Sequence, residues 1–144
     1  MLLDPTSPGR IPEDVASAIT MLVADPSADG VIACSRPTFN PFWVGVVSRD
    51  GYTQRAFDTG ARYARRQDVP TFYRINGSLY LWRRGFVQGG TWPEGNHRML
   101  EIPEVRAFSI DDEYEFRLAE LVTSSGLVSL PWLASNGDGQ EGKS

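Results

Sequence analysis

An amphipathic helix followed by a short apolar strand is the feature that most constrains the fold of this chain. Pro12-Glu13-Asp14 opens the helix, since proline suits the first helical position and acids suit the positive end of the helix dipole. Apolar residues then recur at helical spacing: Val15, Ala18, Ile19, Leu22 and Val23. Asp25-Pro26 ends the helix, and residues 31–34 form an apolar run typical of a buried strand. A helix followed by a buried strand is half of a parallel βαβ unit, so we expect an α/β fold.

The rest of the chain predicts further short elements within one domain. Asp111-Asp112-Glu113 begins a second helix, with Tyr114, Leu118 and Leu121 on one face. Strands are predicted at residues 42–48, 72–75, 79–82, 99–102 and 107–110, a turn at residues 49–51, and loop or short helix over residues 52–67. We expect a single domain over residues 1–134 and a disordered polar tail over residues 135–144.

Composition excludes several classes of protein. The single cysteine, Cys34, and the single histidine, His97, leave no disulfide framework and no zinc cluster. We interpret Cys34 as a buried, inert thiol and His97 as a loop residue. The net charge of −4 argues against non-specific nucleic-acid binding. With no long apolar run and no signal peptide at the start of the sequence, we expect a cytoplasmic protein that does not bind a membrane.

Positive charge is concentrated in the middle of the chain. Residues 55–84 contain seven arginines against Asp58 and Asp68, a local charge of +5, which leaves −9 for the remainder. Such a segment focuses positive potential where a phosphate or carboxylate ligand could use it. A solvated basic face explains the same composition, and both interpretations stay open here.

Residues 65–80, RRQDVPTFYRINGSLY, combine the side chains that a small anionic sugar requires. Arginine forks match a carboxylate or phosphate in bidentate fashion. Asn76 and Tyr80 can donate hydrogen bonds to sugar hydroxyls and accept them. The alternative is an arginine-rich surface loop leading into a strand, with Asn76-Gly77 as an ordinary turn.

Three motifs resemble those of the acylneuraminate (sialic acid-type) cytidylyltransferases. Residues 65–80 resemble the family pattern RRQDLPxxYRxNGxIY. Residues 2–10, LLDPTSPGR, resemble LLQPTSPLR, with Asp4 in place of glutamine and Gly9 in place of leucine. Residues 109–113, SIDDE, are similar to the metal-binding D-I-D-T-E motif, with Ser109 in place of its first aspartate. The resemblance extends over residues 2–122.

This resemblance implies a fold, a reaction and partners. The fold would be a partial doubly wound (Rossmann-like) nucleotidyltransferase domain, with a mostly parallel sheet and a protruding segment that forms a homodimer. The reaction would transfer CMP from CTP to a nine-carbon 2-keto sugar acid, a nonulosonic acid of the sialic type, with release of pyrophosphate and a requirement for Mg²⁺. Such transfer depends more on positioning and charge neutralisation than on covalent catalysis.

The resemblance also assigns roles to individual residues. Arg66 and Asp111 would be catalytic, and Asp111 would bind the metal. The substrate-binding residues would be Asp4, Arg66, Arg74, Asn76 and Tyr80. Two plain alternatives remain: Asp111 as a helix N-cap and Tyr80 as a half-buried strand aromatic.

Departures from the family pattern favour a second hypothesis. Ser109 removes one metal-binding carboxylate, and Asp4 adds negative charge close to an anionic substrate. The Gly/Arg/Lys-rich loop of the type ARGGSKGIPxKN, which grips CTP in the family, has no counterpart in the sequence. We therefore expect a C-terminal portion of such an enzyme that needs its N-terminal half for activity. The alternative is an inactive relic that binds sugar acids or mediates dimerisation.

Overall fold

The computed structural model describes residues 1–58, 62–89 and 94–134, and its elements alternate between helices and strands. In chain order they are α1 (Pro12–Ala24), β1 (Gly30–Ser35), α2 (Pro41–Val44), β2 (Val46–Arg49), β3 (Tyr52–Arg55), β4 (Arg74–Trp82), α3 (Arg84–Gly89), β5 (His97–Glu101), α4 (Glu113–Ser124) and α5 (Pro131–Ala134). Short 3₁₀ turns occur at Arg66–Asp68 and Glu104–Arg106.

A mixed sheet with β1 in the middle forms the centre of the fold. β4 pairs with β1 in antiparallel fashion, and β5 pairs with β1 in parallel. On the other edge of β4, Leu2 exchanges backbone hydrogen bonds of 2.7 and 2.9 Å with Tyr80. Leu2 and β1 are both antiparallel to β4, so they run in the same direction, and α1 connects them. The predicted α/β class is confirmed, with β4 as the antiparallel member of a sheet compatible with a partial Rossmann-like domain.

A large bulge interrupts β4 at the predicted Asn-Gly turn. Ile32 pairs with Tyr80 and Cys34 pairs with Ile75, so four residues of β4 lie opposite Ala33 alone. Gly77 takes a φ of +76° within this bulge, a conformation that favours glycine. The prediction of two separate strands around a turn is therefore wrong, because the extra residues are absorbed as a bulge within one strand.

The core lies between α1 and one face of the sheet. Its buried residues are Ala18, Leu22, Ala28, Val31, Ala33, Leu79, Leu100 and Ile102. The predicted apolar stripe of α1 is confirmed in part: Ala18 and Leu22 face the core, whereas Ile19 and Val23 are exposed. Arg83 also fixes the end of α1, since its guanidinium donates to the carbonyl oxygens of Leu22, Asp25 and Ala28.

An exposed hairpin, β2–β3, replaces the strand predicted at residues 42–48. Asn40 accepts a hydrogen bond from the Phe42 backbone and begins the short helix α2, which turns the chain before β2 starts. Asp50 and Gly51 both have positive φ, at 52° and 83°, as the predicted turn requires. Every residue of β2 and β3 is exposed to solvent. The predicted protruding segment and its role in a homodimer stay predictions.

Helix α4 is confirmed, but its apolar residues point outward. Within the part of the chain that the structure describes, Ala119 is the buried residue of this helix. The side chains of Tyr114, Leu118 and Leu121 are exposed. The predicted strand at residues 107–110 is wrong, because these residues are irregular and Ile110 bonds to the backbone of Thr6.

Three further expectations concern His97, Cys34 and the membrane, while the tail predicted over residues 135–144 lies outside the described residues. His97 is the first residue of β5 rather than a loop residue. Burial raises the pKa of the half-buried Cys34 thiol, which keeps it protonated, as an inert thiol would be. None of the helices in the described ranges combines the length and the apolar character needed to cross a bilayer.

Candidate functional site

The segment of residues 2–10, called the N-terminal loop from here on, meets the β4 bulge at the first candidate site. A Cβ placed on Gly77 would lie 3.5 Å from Ser7 Oγ and 3.7 Å from Asp4 Oδ2. The Arg10 guanidinium holds the two segments together, since its Nη1 donates to the carbonyl oxygens of Asp4, Ser7 and Ser78 at 2.7–3.0 Å. The loop that resembles LLQPTSPLR is thus anchored directly on the bulge that carries Asn76.

Polar contacts connect Asp4 to Asp111 through two hydroxyl groups. Thr6 donates its N–H and its hydroxyl to Asp4 Oδ1, at 3.1 and 2.9 Å. The Thr6 and Ser109 hydroxyls lie 3.3 Å apart, and Ser109 Oγ donates to Asp111 Oδ2 at 3.0 Å. Residues that are over a hundred positions apart in sequence therefore belong to one polar chain.

Two polar atoms of the bulge are buried without a hydrogen-bond partner in residues 1–58, 62–89 and 94–134. Asn76 is 5% exposed, and its Oδ1 accepts from the Ser78 backbone while its Nδ2 has no partner. Ser78 is fully buried, and its hydroxyl is also unpartnered. Buried polar groups are nearly always hydrogen-bonded in folded proteins, so both atoms mark a place for a polar ligand group or an ordered water.

Tyr80 lies on β4 next to the bulge and keeps its proton. Its phenol pKa is raised by burial first, then by the negative charge of Asp4 and by Cys34. Its ring stacks on Trp82 with the ring centres 5.3 Å apart. The structure thus places Tyr80 both as a half-buried strand aromatic and as a hydroxyl close to Asp4.

Asp111 precedes α4 and does not cap it. Asp112 is the N-cap, because its carboxylate accepts from the Glu115 backbone at 2.8 Å, so the N-cap alternative for Asp111 is wrong. Asp111 is exposed, and its backbone N–H donates to the Glu115 carboxylate. Its side chain is therefore available to a ligand through Oδ1.

Arg74 is engaged in a structural ion pair. Its guanidinium contacts Glu104 Oε1 at 3.1 Å and donates to the Ala107 carbonyl at 2.8 Å. The other Glu104 oxygen accepts from the Ser35 hydroxyl at the end of β1. Arg74 also lines a cleft of about 320 Å³ with Ser109 and Glu115, so it borders the site while holding β1 and β4 to the 3₁₀ turn.

Arg66 lies in a separate polar cleft of about 240 Å³. Arg36, Asn40, Arg66 and Gln67 contribute polar side chains to this cleft, and Phe39 and Phe72 complete its wall. Within the described part of the chain, neither the Arg36 nor the Arg66 guanidinium forms an ion pair or a hydrogen bond. Two uncompensated arginine forks in one cleft can take a carboxylate or a phosphate.

The structure therefore divides the predicted site residues into two groups. Asp4, Asn76, Tyr80 and Asp111 are gathered around the N-terminal loop, whereas Arg66 lines the arginine cleft and Arg74 is paired with Glu104. Sequence reasoning missed Thr6, Ser78 and Arg36. Thr6 lies in the motif of residues 2–10 and Ser78 in that of residues 65–80, so their hydroxyls could have marked them as polar site residues. For Arg36, the sequence offered only its positive charge.

The described residues do not by themselves form a magnesium cage. No group of three or more His, Cys, Asp or Glu side chains comes together in residues 1–58, 62–89 and 94–134. Asp111 supplies one carboxylate and Ser109 a hydroxyl, while Asp112 and Glu115 are engaged at the start of α4. Mg²⁺ commonly takes one or two carboxylates and completes its shell with water and substrate phosphates, so the magnesium requirement stays a prediction.

Comparison with known proteins gives one informative similarity. No family model matches the chain. The chain is 26% identical over 121 residues to the post-translational flagellin modification protein B of Campylobacter coli. The match covers 83% of this chain and 50% of that relative, so the chain spans about half the length of the relative.

Proposed function

We propose that this chain is the sugar-acid-binding portion of a nucleotidyltransferase. The whole enzyme would transfer CMP from CTP to a nine-carbon 2-keto sugar acid of the sialic type and release pyrophosphate. The observation that carries the proposal is the meeting of the N-terminal loop with the β4 bulge, where Asp4 approaches Gly77 and two buried polar atoms, Asn76 Nδ2 and Ser78 Oγ, have no partner among the described residues. The family resemblance assigns Asp4, Asn76 and Tyr80 to the sugar.

The similarity to a flagellin modification protein supports the same class of function. An activated sugar is a reagent that post-translational modification of a protein can consume. We therefore propose that the product serves the modification of a protein or another surface polymer, within nucleotide-sugar biosynthesis.

The proposed reaction balances without covalent catalysis. The anomeric hydroxyl oxygen of the sugar acid attacks the α-phosphorus of CTP, the bond to the bridging oxygen breaks, and pyrophosphate leaves with that electron pair. The hydroxyl proton passes to a base at the site. Arg66 would contact the anionic groups of the substrates and Asp111 would lie at the reacting end, with Mg²⁺ neutralising the triphosphate when it is bound.

Calorimetric titration of the chain with a nine-carbon 2-keto sugar acid tests the binding half of the proposal. We expect Asn76→Ala to weaken binding at least about tenfold, since it removes a buried amide that the ligand would satisfy. The matched control is Asn96→Ala, an exposed asparagine whose amide donates to Ser27, and it should bind like the parent chain. Equal loss in both variants, or no binding by the parent chain, would contradict the proposal.

Turnover tests the catalytic half. The chain is mixed with CTP, Mg²⁺ and 2-keto sugar acids, with and without a polypeptide corresponding to the half of the Campylobacter coli relative that it does not match. We expect a CMP-sugar, detected by mass spectrometry, only when that polypeptide is present. If no CMP-sugar forms with any 2-keto sugar acid, the proposed transfer of CMP is contradicted.

One observation favours a non-catalytic alternative. Ser109 occupies the place of a metal-binding carboxylate in the family, and the described residues contain no three-ligand metal group. The alternative function is a module that binds a sugar acid or mediates dimerisation. Ser109→Asp in the reconstituted mixture separates the two: a large gain in rate indicates a decayed metal site, and an unchanged rate indicates that the carboxylate is not needed.

A further inference from the structure

Asp4 is a half-buried carboxylate that forms no ion pair with the described part of the chain. Thr6 satisfies Oδ1 with two hydrogen bonds, and nothing in the described ranges donates to Oδ2. Arg10 lies close by, but it donates to the main-chain oxygen of Asp4 and not to the carboxylate. Oδ2, which has no direct donor among the described residues, therefore faces Gly77 and the bulge, where a Cβ would be 3.7 Å from it.

Apart from Arg10, the neighbouring groups named here are neutral. Asn76 and Ser78 carry buried, neutral polar atoms without partners, and Tyr80 holds its proton because burial and the Asp4 charge raise its phenol pKa. An acidic group of a ligand placed here would meet a like charge at short range. The unpaired guanidinium groups of Arg36 and Arg66 offer such an acidic group a better place, in the arginine cleft.

We propose that Asp4 selects sugar acids that carry a free, protonated amine, an inference that rests on the sugar-binding function proposed above. An ammonium group has three donors and a full positive charge, so it can pair with Asp4 Oδ2 in a charge-assisted hydrogen bond. N-acylation of the amine removes the charge and two of these donors. The carboxylate of the same ligand would lie away from Asp4.

The test compares amine and N-acetyl forms of the same ligand by calorimetry at neutral pH. The probes are methyl glycosides of nine-carbon 2-keto sugar acids with one free amine, at C5, C7 or C9, each beside its N-acetylated counterpart. Glycosides are used because their anomeric carbon cannot condense with the amine. We expect the parent chain to bind at least one amine at least about tenfold more tightly than its N-acetyl form.

Asp4→Asn should abolish that preference while keeping the loop intact. Asparagine retains Oδ1 as the acceptor for both Thr6 donors, so the variant changes the charge and little else. Asp50→Asn, in the exposed turn between β2 and β3, is the control of equal charge change and should keep the preference.

The outcomes distinguish a failure of this inference about Asp4 from a failure of the proposed sugar-binding function. If glycosides bind and Asn76→Ala weakens them, but all three amine and acetyl pairs bind equally, the role of Asp4 is overturned and the sugar site stands. A preference that survives Asp4→Asn also overturns it. If neither the free sugar acids nor the glycosides bind the parent chain, the sugar-binding function itself is overturned, and this inference with it. Binding of the free acids alone overturns this inference and leaves the sugar site.

Discussion

Gly9 lies where the N-terminal loop touches the backbone of the Glu104–Arg106 turn. A Cβ at this position would be only 1.9 Å from the Arg106 carbonyl oxygen, a distance that no side chain can tolerate. The close approach also lets Arg106 Nη1 donate to the Gly9 carbonyl at 3.0 Å. The departure from leucine to glycine in this loop therefore has a packing reason, since the loop lies against backbone that cannot move cheaply.

We expect Gly9→Ala to destabilise the chain by about 1–3 kcal/mol or more, because two backbone segments must separate to admit the methyl group. Gly85→Ala is the matched control: Gly85 lies in α3 with open space around it, and alanine there should stabilise by about 0.5–1 kcal/mol. Urea denaturation of the two variants measures both changes. Equal stability of the two would mean that the loop does not pack on Arg106 as described.

The pKa of the Tyr80 phenol reports the negative charge of Asp4. Because burial and Asp4 raise the phenol pKa, folded Tyr80 binds its proton more tightly than an unfolded tyrosine does. As the pH rises above about 10, the unfolded chain loses its proton first. The contribution of Tyr80 to stability is therefore present below that pH and is lost as the pH rises through the folded pKa.

Asp4→Asn should lower the pKa of Tyr80 while leaving it raised by burial, which is the larger cause. Absorbance at the tyrosinate band during alkaline titration measures this, with Tyr80→Phe identifying its share of the signal. Asp50→Asn should not move the Tyr80 transition. An unchanged Tyr80 pKa in Asp4→Asn would show that the two side chains are not neighbours.

At the scale of elements, one ion pair fastens α1 to the turn before α4. Arg106 contacts both carboxylate oxygens of Asp14, at 2.6 and 2.9 Å, and both side chains are nearly buried. Asp14 Oδ2 also accepts from the Ile11 backbone at the start of the helix. The acidic first turn that the sequence assigned to the helix dipole thus has a specific partner 92 positions away.

Arg106→Met should cost about 3 kcal/mol or more, because it leaves the nearly buried Asp14 carboxylate without its cation. The control is Arg117→Ala, which breaks the exposed pair with Glu113 on the surface of α4 and should cost no more than about 0.5 kcal/mol. Both free energies of unfolding come from urea titrations. Similar costs would indicate that solvent reaches the Arg106–Asp14 pair.

Local pattern predicted the elements whose signal lies within a few residues. The period of α1, the apolar run of β1 and the acids before α4 are such signals, and all three elements exist. The β4 bulge was not predictable, because only pairing with β1 shows that four residues lie opposite one. Helix α2 was missed because Asn40 as an N-cap outweighs the strand-like Phe42–Trp43–Val44 run that follows Pro41.

The sequence predicted which residues form the candidate site but not how they are arranged in space. The motifs named Asp4, Asn76, Tyr80 and Asp111. The structure brings their segments together through Arg10, Thr6 and Ser109. Arg74 was predicted as a ligand residue, yet it is held by Glu104, a partner 30 positions away that no local pattern indicates. The burial of Asn76 without a partner for its amide is likewise visible only in three dimensions.

At the scale of the whole molecule, two apolar surfaces are left exposed by the residues that the structure describes. The β2–β3 hairpin exposes Val47 and Tyr52 on one face, and α4 exposes Tyr114 and Leu121. An isolated two-stranded hairpin is at best marginally stable in water, so a hairpin exposed on all sides favours association.

We expect the chain to sediment as a dimer or a larger species through the hairpin. The double variant Val47→Lys and Tyr52→Lys places charges on one hairpin face and should shift the chain toward monomer. Leu121→Lys, which places a charge on the exposed face of α4, is the control and should leave the association unchanged. A monodisperse monomer in sedimentation velocity experiments with the parent chain would contradict the prediction.

The order of segments across the sheet also governs when the site can form during synthesis. Leu2 has its backbone partner in Tyr80, and the polar chain from Asp4 is complete only with Ser109 and Asp111. At about 5–20 residues per second, a ribosome takes roughly 5–20 s to pass from the fourth residue to the last of these. The segment of Leu2 and Asp4 thus waits without these partners until β4 and residue 111 have been made, and a nascent chain stalled before β4 would expose this segment to proteases.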